Sequence, residues 1–143
     1  MTVPINPAAI DIFLQPGDVY FGDRGTRIRT VLGSCVSITF WHPRLLLGGM
    51  CHYMLPGRNG AAAGVRDGRY ADEAISLLVD EMRAEGTQPR DYEAKLFGGG
   101  RINAALDDVG RKNIAFALAF LAEEGYAAAG EDLGGDYARK VMF

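Results

Sequence analysis

The sequence predicts an α+β fold in which antiparallel β-sheets carry two main helices and short helical turns. Short segments with period-two alternation, bounded by glycine or proline turns, predict strands. Two longer segments, near 69–85 and 109–124, are apolar along one stripe or along most of their length and predict helices. The order of these elements is typical of the α+β class, and 143 residues suffice for one domain, 1–143, with its own core.

Composition and charge argue against several classes of function. The formal net charge is −3, so no basic surface indicates nucleic-acid binding. The apolar runs are short and broken by glycine, which predicts no membrane insertion, and the first residues lack the pattern of a signal peptide. Two cysteines in such a chain indicate free thiols in a reducing compartment. We therefore expect a cytoplasmic protein.

The first part of the chain is expected to consist of strands and tight turns. Residues 1–16 predict an edge strand or an extended arm. Proline and glycine turns then bracket a short strand at 19–21 and a longer strand at 26–32. The longer strand runs directly into Gly33 and Ser34.

A β-hairpin is expected next. Residues 35–41 alternate between apolar and small polar side chains, and residues 45–55 are apolar and predict a second, more deeply buried strand. The turn is predicted to be centred between Pro43 and Arg44, because proline suits the second place of a type I turn. His42, beside it, is expected to be an exposed turn residue.

This turn predicts which residues of the hairpin meet. Cys35 is placed directly opposite His52, at a distance that allows a thiolate and an imidazole to touch. Cys51 is placed opposite Val36 on the apolar face. A bulge at the two glycines of 48–49 would shift the register by one residue and exchange the faces of the two cysteines.

The second half of the chain supplies the helices. The irregular segment 56–69 follows His52 in the chain. It is either a surface connection or a lid over a site at that histidine. Helix 69–85 is expected to end at Gly86 and to bury one stripe, formed by Ala71, Ala74, Ile75, Leu78 and Met82.

The second helix, 109–124, is expected to be capped by Asp107 or Asp108. Its run 114–122 is apolar nearly all round, which predicts burial between two layers. Further strands are predicted at 91–97, 126–132 and 137–143.

Cys35 and His52 form the strongest candidate for chemistry. Thiolate is the reactive form of cysteine, and a neighbouring imidazole stabilises it. The backbone N–H groups of Gly33 and Ser34 are candidates for binding a developing oxyanion. The alternative is a buried thiol beside a structural histidine.

Other features carry weaker chemical signals. A third residue usually orients such a histidine, and the local hydroxyls are those of Thr30, Ser34, Ser37 and Thr39, among which no sequence rule selects. Residues 98–101 lack the lysine and serine of a phosphate-binding loop and are best explained as a glycine turn. Cys51 and His52 point to opposite faces of a strand, so no metal site is expected.

With these residues in view, the sequence resembles the CheD family, the chemoreceptor glutamine deamidases of bacterial chemotaxis. The matching segments are 32–36 (LGSCV), 49–56 (GMCHYMLP), 69–72 (RYAD), 94–99 (AKLFGG), 110–113 (GRKN) and 131–135 (EDLGG). They recur in family order from about residue 30 to the last residue, and residues 1–25 contribute little.

The resemblance implies a mechanism and a set of residues. Cys35 takes the place of the family's nucleophile and His52 that of its histidine. The family's catalytic threonine falls on Arg29 here, and the adjacent Thr30 is the candidate for the third role. The implied fold is a three-layer α/β sandwich with antiparallel sheets, and no metal or organic cofactor is needed.

The implied reaction converts a receptor glutamine to glutamate through a thioester, and the same groups are suited to hydrolysing a glutamyl methyl ester. The implied partners are the cytoplasmic helices of chemoreceptors and the phosphatase CheC.

Two other functions remain open from the sequence. The first is a non-catalytic chemotaxis adaptor that binds receptors or CheC, favoured by the altered threonine position. The second is a thiol redox protein, which requires Cys35 and Cys51 to meet. Because the predicted register puts these thiols on opposite faces, the redox function has little support.

Overall fold

A computed structural model describes residues 9–58, 64–102, 107–126 and 128–143 of the chain. The strands are β1 (Ile10–Phe13), β2 (Val19–Asp23), β3 (Thr26–Leu32), β4 (Val36–His42), β5 (Leu47–Cys51), β6 (Glu93–Gly98), β7 (Ala128–Leu133) and β8 (Arg139–Met142), and the helices are α1 (Ala71–Ala84) and α2 (Asp107–Glu123). A short 3-10 helix, Pro89–Asp91, precedes β6. Neither α1 nor α2 is long and apolar enough to span a membrane, and no other described segment is a candidate.

The strands form two sheets. The larger has the order β2-β5-β4-β6-β7 and the smaller the order β1-β3-β8. Most neighbouring strands are antiparallel, as predicted, but β1 pairs with β3 and β6 with β7 in parallel. Strand β2 lies between β1 and β3 in the chain, and helix α2 lies between β6 and β7, so neither parallel pair is a hairpin.

The sheets and helices stack in three layers, in agreement with the expected α+β sandwich. The two helices cover one face of the five-stranded sheet, and side chains such as Phe40 of β4 and Leu78 of α1 share the main core. A smaller core lies between the two sheets and contains Leu14, Ile28 and Met50. The segment that leaves β3 and enters β4 therefore crosses from one sheet to the other.

Helix α1 agrees with its sequence prediction. The predicted stripe is buried in full, and it packs on the five-stranded sheet. The helix ends just before Gly86, whose φ of 76° lies in the left-handed region that glycine tolerates best.

Helix α2 differs from its prediction in two ways. It begins at Asp107, so Asp107 and Asp108 lie within its first turn and neither is the N-cap. It is also buried on one face only, and Leu118 on the opposite face is 44% exposed. The buried face is formed by Gly110, Asn113, Ala117 and Leu121. Alanine fits both surface and core, so the alanine-rich run does not reveal which face is buried.

The β4–β5 turn is longer than predicted. It spans 43–46, and the N–H of Leu46, which has a φ of 57°, donates to the carbonyl of His42 (2.9 Å). The prediction that His42 is exposed is wrong. His42 is buried, its Nδ1 accepts from the N–H of Leu45 (3.0 Å), and its ring packs edge-on against Tyr92.

The longer turn changes the register of the hairpin. His42 pairs with Leu47, and Val36 pairs with Tyr53, so the predicted pairing of Cys35 with His52 is wrong, as is that of Cys51 with Val36. Because the shift is by an even number of residues, every side chain keeps its predicted face. Consistent with this, the Cys51 thiol lies in the main core, 3.9 Å from the carbonyl oxygen of Ile38.

Candidate active site

Strand β3 brings a hydroxyl group to the histidine. Thr30 lies on the inward face of β3, and its Oγ1 is 2.7 Å from Nδ1 of His52. Both residues are buried, with exposed fractions of 1% and 3%. Arg29, the next residue back, points outward and pairs with Asp11 (Nε to Oδ1, 3.0 Å). The structure therefore places Thr30, and not Arg29, beside the histidine.

The second contact of Thr30 identifies the tautomer of His52. The Thr30 hydroxyl donates its hydrogen to the carbonyl oxygen of Leu14 (2.9 Å). A hydroxyl has one hydrogen, so toward His52 it acts as an acceptor, and the hydrogen of that bond belongs to Nδ1. The neutral imidazole then carries no hydrogen on Nε2, which is the nitrogen available as a base.

Cys35 lies at the crossing between the sheets, on the same side as His52. The two residues flank the Val36–Tyr53 bridge, in which the backbone N–H groups of Val36 and Tyr53 donate to each other's carbonyls (3.2 and 3.0 Å). The side chains of Val36 and Tyr53 enter the main core, so those of Cys35 and His52 point to the opposite face. Cys35 and His52 are thus diagonal neighbours, a separation of roughly 7–8 Å between backbones in antiparallel pairs.

Each backbone carbonyl of the segment 33–35 is held by a separate donor. The N–H of Gly100 donates to the carbonyl of Gly33, and the N–H of Gly99 to that of Cys35, both at 2.9 Å. Between them, Nδ2 of Asn113 donates to the carbonyl of Ser34 (3.2 Å). The N–H groups of the same three residues have no hydrogen-bond acceptor among the described residues.

Burial determines the charge state of the two candidate residues. Desolvation raises the pKa of the Cys35 thiol, and it lowers the pKa of His52, against a smaller opposing effect of the Asp18 carboxylate. Both shifts favour a neutral thiol beside a neutral imidazole in the free protein. In this state Nε2 of His52 carries no proton and Sγ of Cys35 carries one.

Cys35 and His52 open into the same cavity, which has a volume of about 460 Å³. Its rim is apolar and exposed: Phe13 is 43%, Val31 46% and Ile102 52% accessible. Exposed apolar groups of this size around a polar centre are typical of a surface that receives a partner. The remaining lining residues are Leu14, Gln15, Pro16, Gly33 and Ser34.

The second cysteine is separate from this cavity. Cys51 is fully buried, which raises the pKa of its thiol to about 12, and both cysteines are free thiols. The predicted separation of Cys35 and Cys51 onto opposite faces is confirmed, so the thiol redox function loses its structural basis. Within the described residues no group of three or more histidine, cysteine or acidic side chains is placed to hold a metal ion.

The glycines of 98–100 form a turn that contacts the segment 33–35, as the interpretation as a glycine turn predicts. The N–H groups of Gly99 and Gly100 donate to the carbonyls of Cys35 and Gly33, in the segment 33–35, which we call the cysteine segment. The segment 56–69 has no described residue among those lining the cavity. The described ends of this segment pack on α1, with Nε of Arg58 bonded to Oε2 of Glu73 (2.7 Å). Residues 59–63, in the middle of the hypothesised lid, lie outside the described residues.

Two contributors were missed by the sequence reasoning. Leu14 acts through its backbone carbonyl, which no side-chain pattern reveals. Asn113 was noted only as part of a motif, although it is a polar residue at a buried position of an apolar helix. That placement is a usable signal, because buried amides are almost always hydrogen-bonded to something specific.

Comparison with known proteins gives a consistent result. A sequence model of the family described as "CheD chemotactic sensory transduction" matches residues 54–143. A protein of Pseudomonas fluorescens named "Probable chemoreceptor glutamine deamidase CheD" is 48% identical over 139 residues, which cover 93% of this chain and 78% of that protein.

Other bacteria carry similar proteins under numbered forms of that name. The one from Dechloromonas aromatica is 44% identical over 137 residues, covering 93% of this chain and 81% of the relative. The one from Leptospira interrogans is 40% identical over 146 residues, covering 94% and 86%. At this identity and coverage the chain belongs to the CheD family.

Proposed function

We propose that this protein is a chemoreceptor glutamine deamidase that converts specific glutamine side chains of chemoreceptors to glutamate. One observation carries the proposal. Cys35 and His52 open into one cavity, with His52 held through Nδ1 by Thr30, in a chain of the family whose members bear that name. The proposed compartment is the cytoplasm, where the signalling helices of chemoreceptors lie.

The proposed reaction has two steps. Nε2 of His52 takes the thiol proton while Sγ of Cys35 attacks the carboxamide carbon, and the same proton then leaves with the amino group as ammonia. Water, deprotonated by Nε2, next attacks the thioester. The acyl–sulfur bond breaks, the thiol regains its proton and the product is a glutamate side chain.

The oxyanion of both tetrahedral intermediates is proposed to bind backbone N–H groups of the segment 33–35. The observations behind this are the three carbonyl contacts of Gly33, Ser34 and Cys35 and the absence of a described acceptor for their N–H groups. A donor that is already fixed does not have to reorganise when charge develops, which is the main source of such stabilisation.

The rim of the cavity suits a substrate on the surface of a helix. Phe13, Val31 and Ile102 present apolar surface around the opening, and an amphipathic helix docks on such a surface through the apolar side chains of one face. The phosphatase CheC is proposed to bind at the same opening and so to compete with receptors. Hydrolysis of a glutamyl methyl ester is proposed as a second activity, because only the leaving group differs.

The alternative function, a non-catalytic adaptor, loses its main support. It was favoured because Arg29 occupies the position of the family's threonine. Thr30 contacts His52 directly, so the altered residue does not remove the hydroxyl from the site.

Mass spectrometry of a chemoreceptor cytoplasmic fragment tests the proposal. Incubation with the protein is expected to add about 1 Da per modified glutamine, since NH2 is replaced by OH. Cys35→Ala should abolish the gain, and Cys51→Ala, which removes the buried thiol, should retain it. Unmodified fragment that still binds the protein would favour the adaptor, and a gain that survives Cys35→Ala would reject Cys35 as the nucleophile.

A further inference from the structure

One buried side chain connects the segments that carry the two candidate catalytic residues. Asn113 of α2 is fully buried. Its Nδ2 donates to the carbonyl of Ser34 (3.2 Å) and to the carbonyl of Met54 (2.9 Å). Its backbone carbonyl accepts a hydrogen bond from the hydroxyl of Tyr53 (2.7 Å).

The two carbonyls bonded by this amide lie close to the chemistry in sequence. Ser34 precedes Cys35, and Met54 follows His52 by two positions. Both segments lie just beyond the Val36–Tyr53 bridge, where the ladder between β4 and β5 has ended. Among described residues, no other side chain donates to both segments. The NH2 group of Asn113 therefore holds the Ser34 and Met54 carbonyls together just beyond the Val36–Tyr53 bridge, the last backbone pair between the two segments.

The two atoms of the amide group have different surroundings. Oδ1 of Asn113 is buried and has no hydrogen-bond partner among the described residues. An apolar side chain of the same size would leave the carbonyls of Ser34 and Met54 without the donor that Nδ2 supplies. The two N–H donors explain why an amide is present at this position.

We propose that Asn113 is a positioning residue that sets the distance between His52 and Cys35, and thereby how readily the thiol of Cys35 ionises. Asn113 does not touch the substrate in this proposal. Loss of its donors frees the Ser34 and Met54 carbonyls, so the two segments drift apart by a fraction of an ångström. This role presupposes the proposed pairing of Cys35 with His52, and it needs no receptor to be observed.

The rate at which iodoacetamide alkylates Cys35 reports on the pair directly. The rate is followed from about pH 5 to about pH 10, with peptide mass analysis to separate Cys35 from the buried Cys51. The variants are Asn113→Ala and Asn113→Asp, the second of which keeps the volume but loses the NH2 group. Thr87→Val is the matched control, because it removes a buried hydroxyl bonded to Met82 and Tyr92, and none of these three residues lines the cavity.

The expected result is that the pH profile of the alkylation rate changes when the Asn113 amide is lost, and does not change when stability alone is lowered. Both Asn113 variants should lose the part of the profile that depends on His52 and react about tenfold more slowly near pH 7. Deamidation should show a kcat lower by about 10- to 100-fold with KM little changed, since misplacing a catalytic group affects the transition state. Thr87→Val should keep the wild-type profile despite its lower stability.

Two outcomes would overturn the proposal. The first is a profile in the folded Asn113 variants that superimposes on that of the wild type. The second is an alkylation profile of His52→Gln that is the same as that of the wild type, which would show that Cys35 and His52 do not act as a pair. A receptor that is not deamidated while the expected alkylation profiles are seen would reject the proposed substrate and leave the positioning role intact.

Discussion

At the scale of single residues, the hydroxyl of Thr30 decides which nitrogen of His52 holds the proton. Its only hydrogen goes to the carbonyl of Leu14, so it accepts from Nδ1. A carboxylate in the same place would impose the same tautomer but would also raise the pKa of the imidazole. Threonine fixes the tautomer without a charge, which suits a histidine that is neutral at the start of the proposed reaction.

Substitution of Thr30 tests this function. Thr30→Val keeps the shape but cannot accept from Nδ1, and kcat for deamidation should fall by about 100-fold, the lower range of what a positioned base contributes. Thr30→Ser keeps the hydroxyl and should retain most of the activity. The measurement is the deamidation rate at saturating receptor fragment. Equal rates for the two variants would mean that the hydroxyl does not orient His52.

The site residues were predictable to different degrees from the sequence. Cys35 and His52 were found because strand alternation fixes the face of each side chain even when the register is wrong by an even number. Alternation also selects Thr30 over Arg29, since Thr30 shares its face with Ile28 and Leu32. The exact pairing was not predictable, because the turn length depends on Leu46 adopting a left-handed conformation.

At the scale of elements, the end of β6 shapes the cysteine segment. Gly98 has a φ of 110° and Gly99 a φ of 69°, and this turn aims the N–H groups of Gly99 and Gly100 at the carbonyls of 33 and 35. A Cβ atom on Gly98 would collide with the carbonyl oxygen of Cys35. Gly98 is therefore required both for its conformation and for the space beside it.

The predicted effect of Gly98→Ala combines both requirements. The variant should lose about 2–3 kcal/mol of the free energy of unfolding, through backbone strain and displacement of the Cys35 carbonyl. Gly125→Ala is the control: its φ is 76°, but a Cβ there meets nothing within 4 Å, so it should lose only about 1 kcal/mol. Urea unfolding gives both values. Equal losses would mean that contact with Cys35 is unimportant.

The elements themselves followed from periodicity, while their arrangement did not. Period-two and helical patterns gave the strands, the helices and the α1 stripe within a few residues. The parallel pair β1–β3 has β2 between its strands in the chain, and no local pattern indicates it, whereas the pair β6–β7 is joined by α2, the usual connection of parallel strands. Asn113 belongs with the pair β1–β3, since its bonds to Ser34 and Met54 span 79 and 59 positions.

At the scale of the whole molecule, the layers leave a neutral histidine buried near the junction of the two sheets. Desolvation lowers the pKa of His52 in the folded state relative to about 6.5 in the unfolded chain. The folded state therefore binds this proton less readily than the unfolded state. The contribution of neutral His52 to the free energy of unfolding is therefore fully present above about pH 6.5, and it is lost as the pH falls through the folded-state pKa.

This linkage predicts a pH-dependent difference between two proteins. Between about pH 7 and about pH 5, the wild type should lose more free energy of unfolding than His52→Gln, by about 1.4 kcal/mol for each unit of pKa shift. Groups that do not interact with His52 contribute equally to both proteins and cancel in the difference. Urea midpoints at the two pH values give the result. Identical losses would mean that His52 is not held neutral by burial.

The three donors that hold the cysteine segment come from residues 99, 100 and 113, far along the chain from Cys35. During synthesis the thiol leaves the ribosome long before any of them exists. Until they arrive, Cys35 is an ordinary cysteine with a pKa of about 8.5 in a flexible segment. The nascent chain therefore carries the proposed nucleophile without the donors that position it, and the proposed hydrolysis becomes possible only when the later half of the polypeptide has folded against the earlier one.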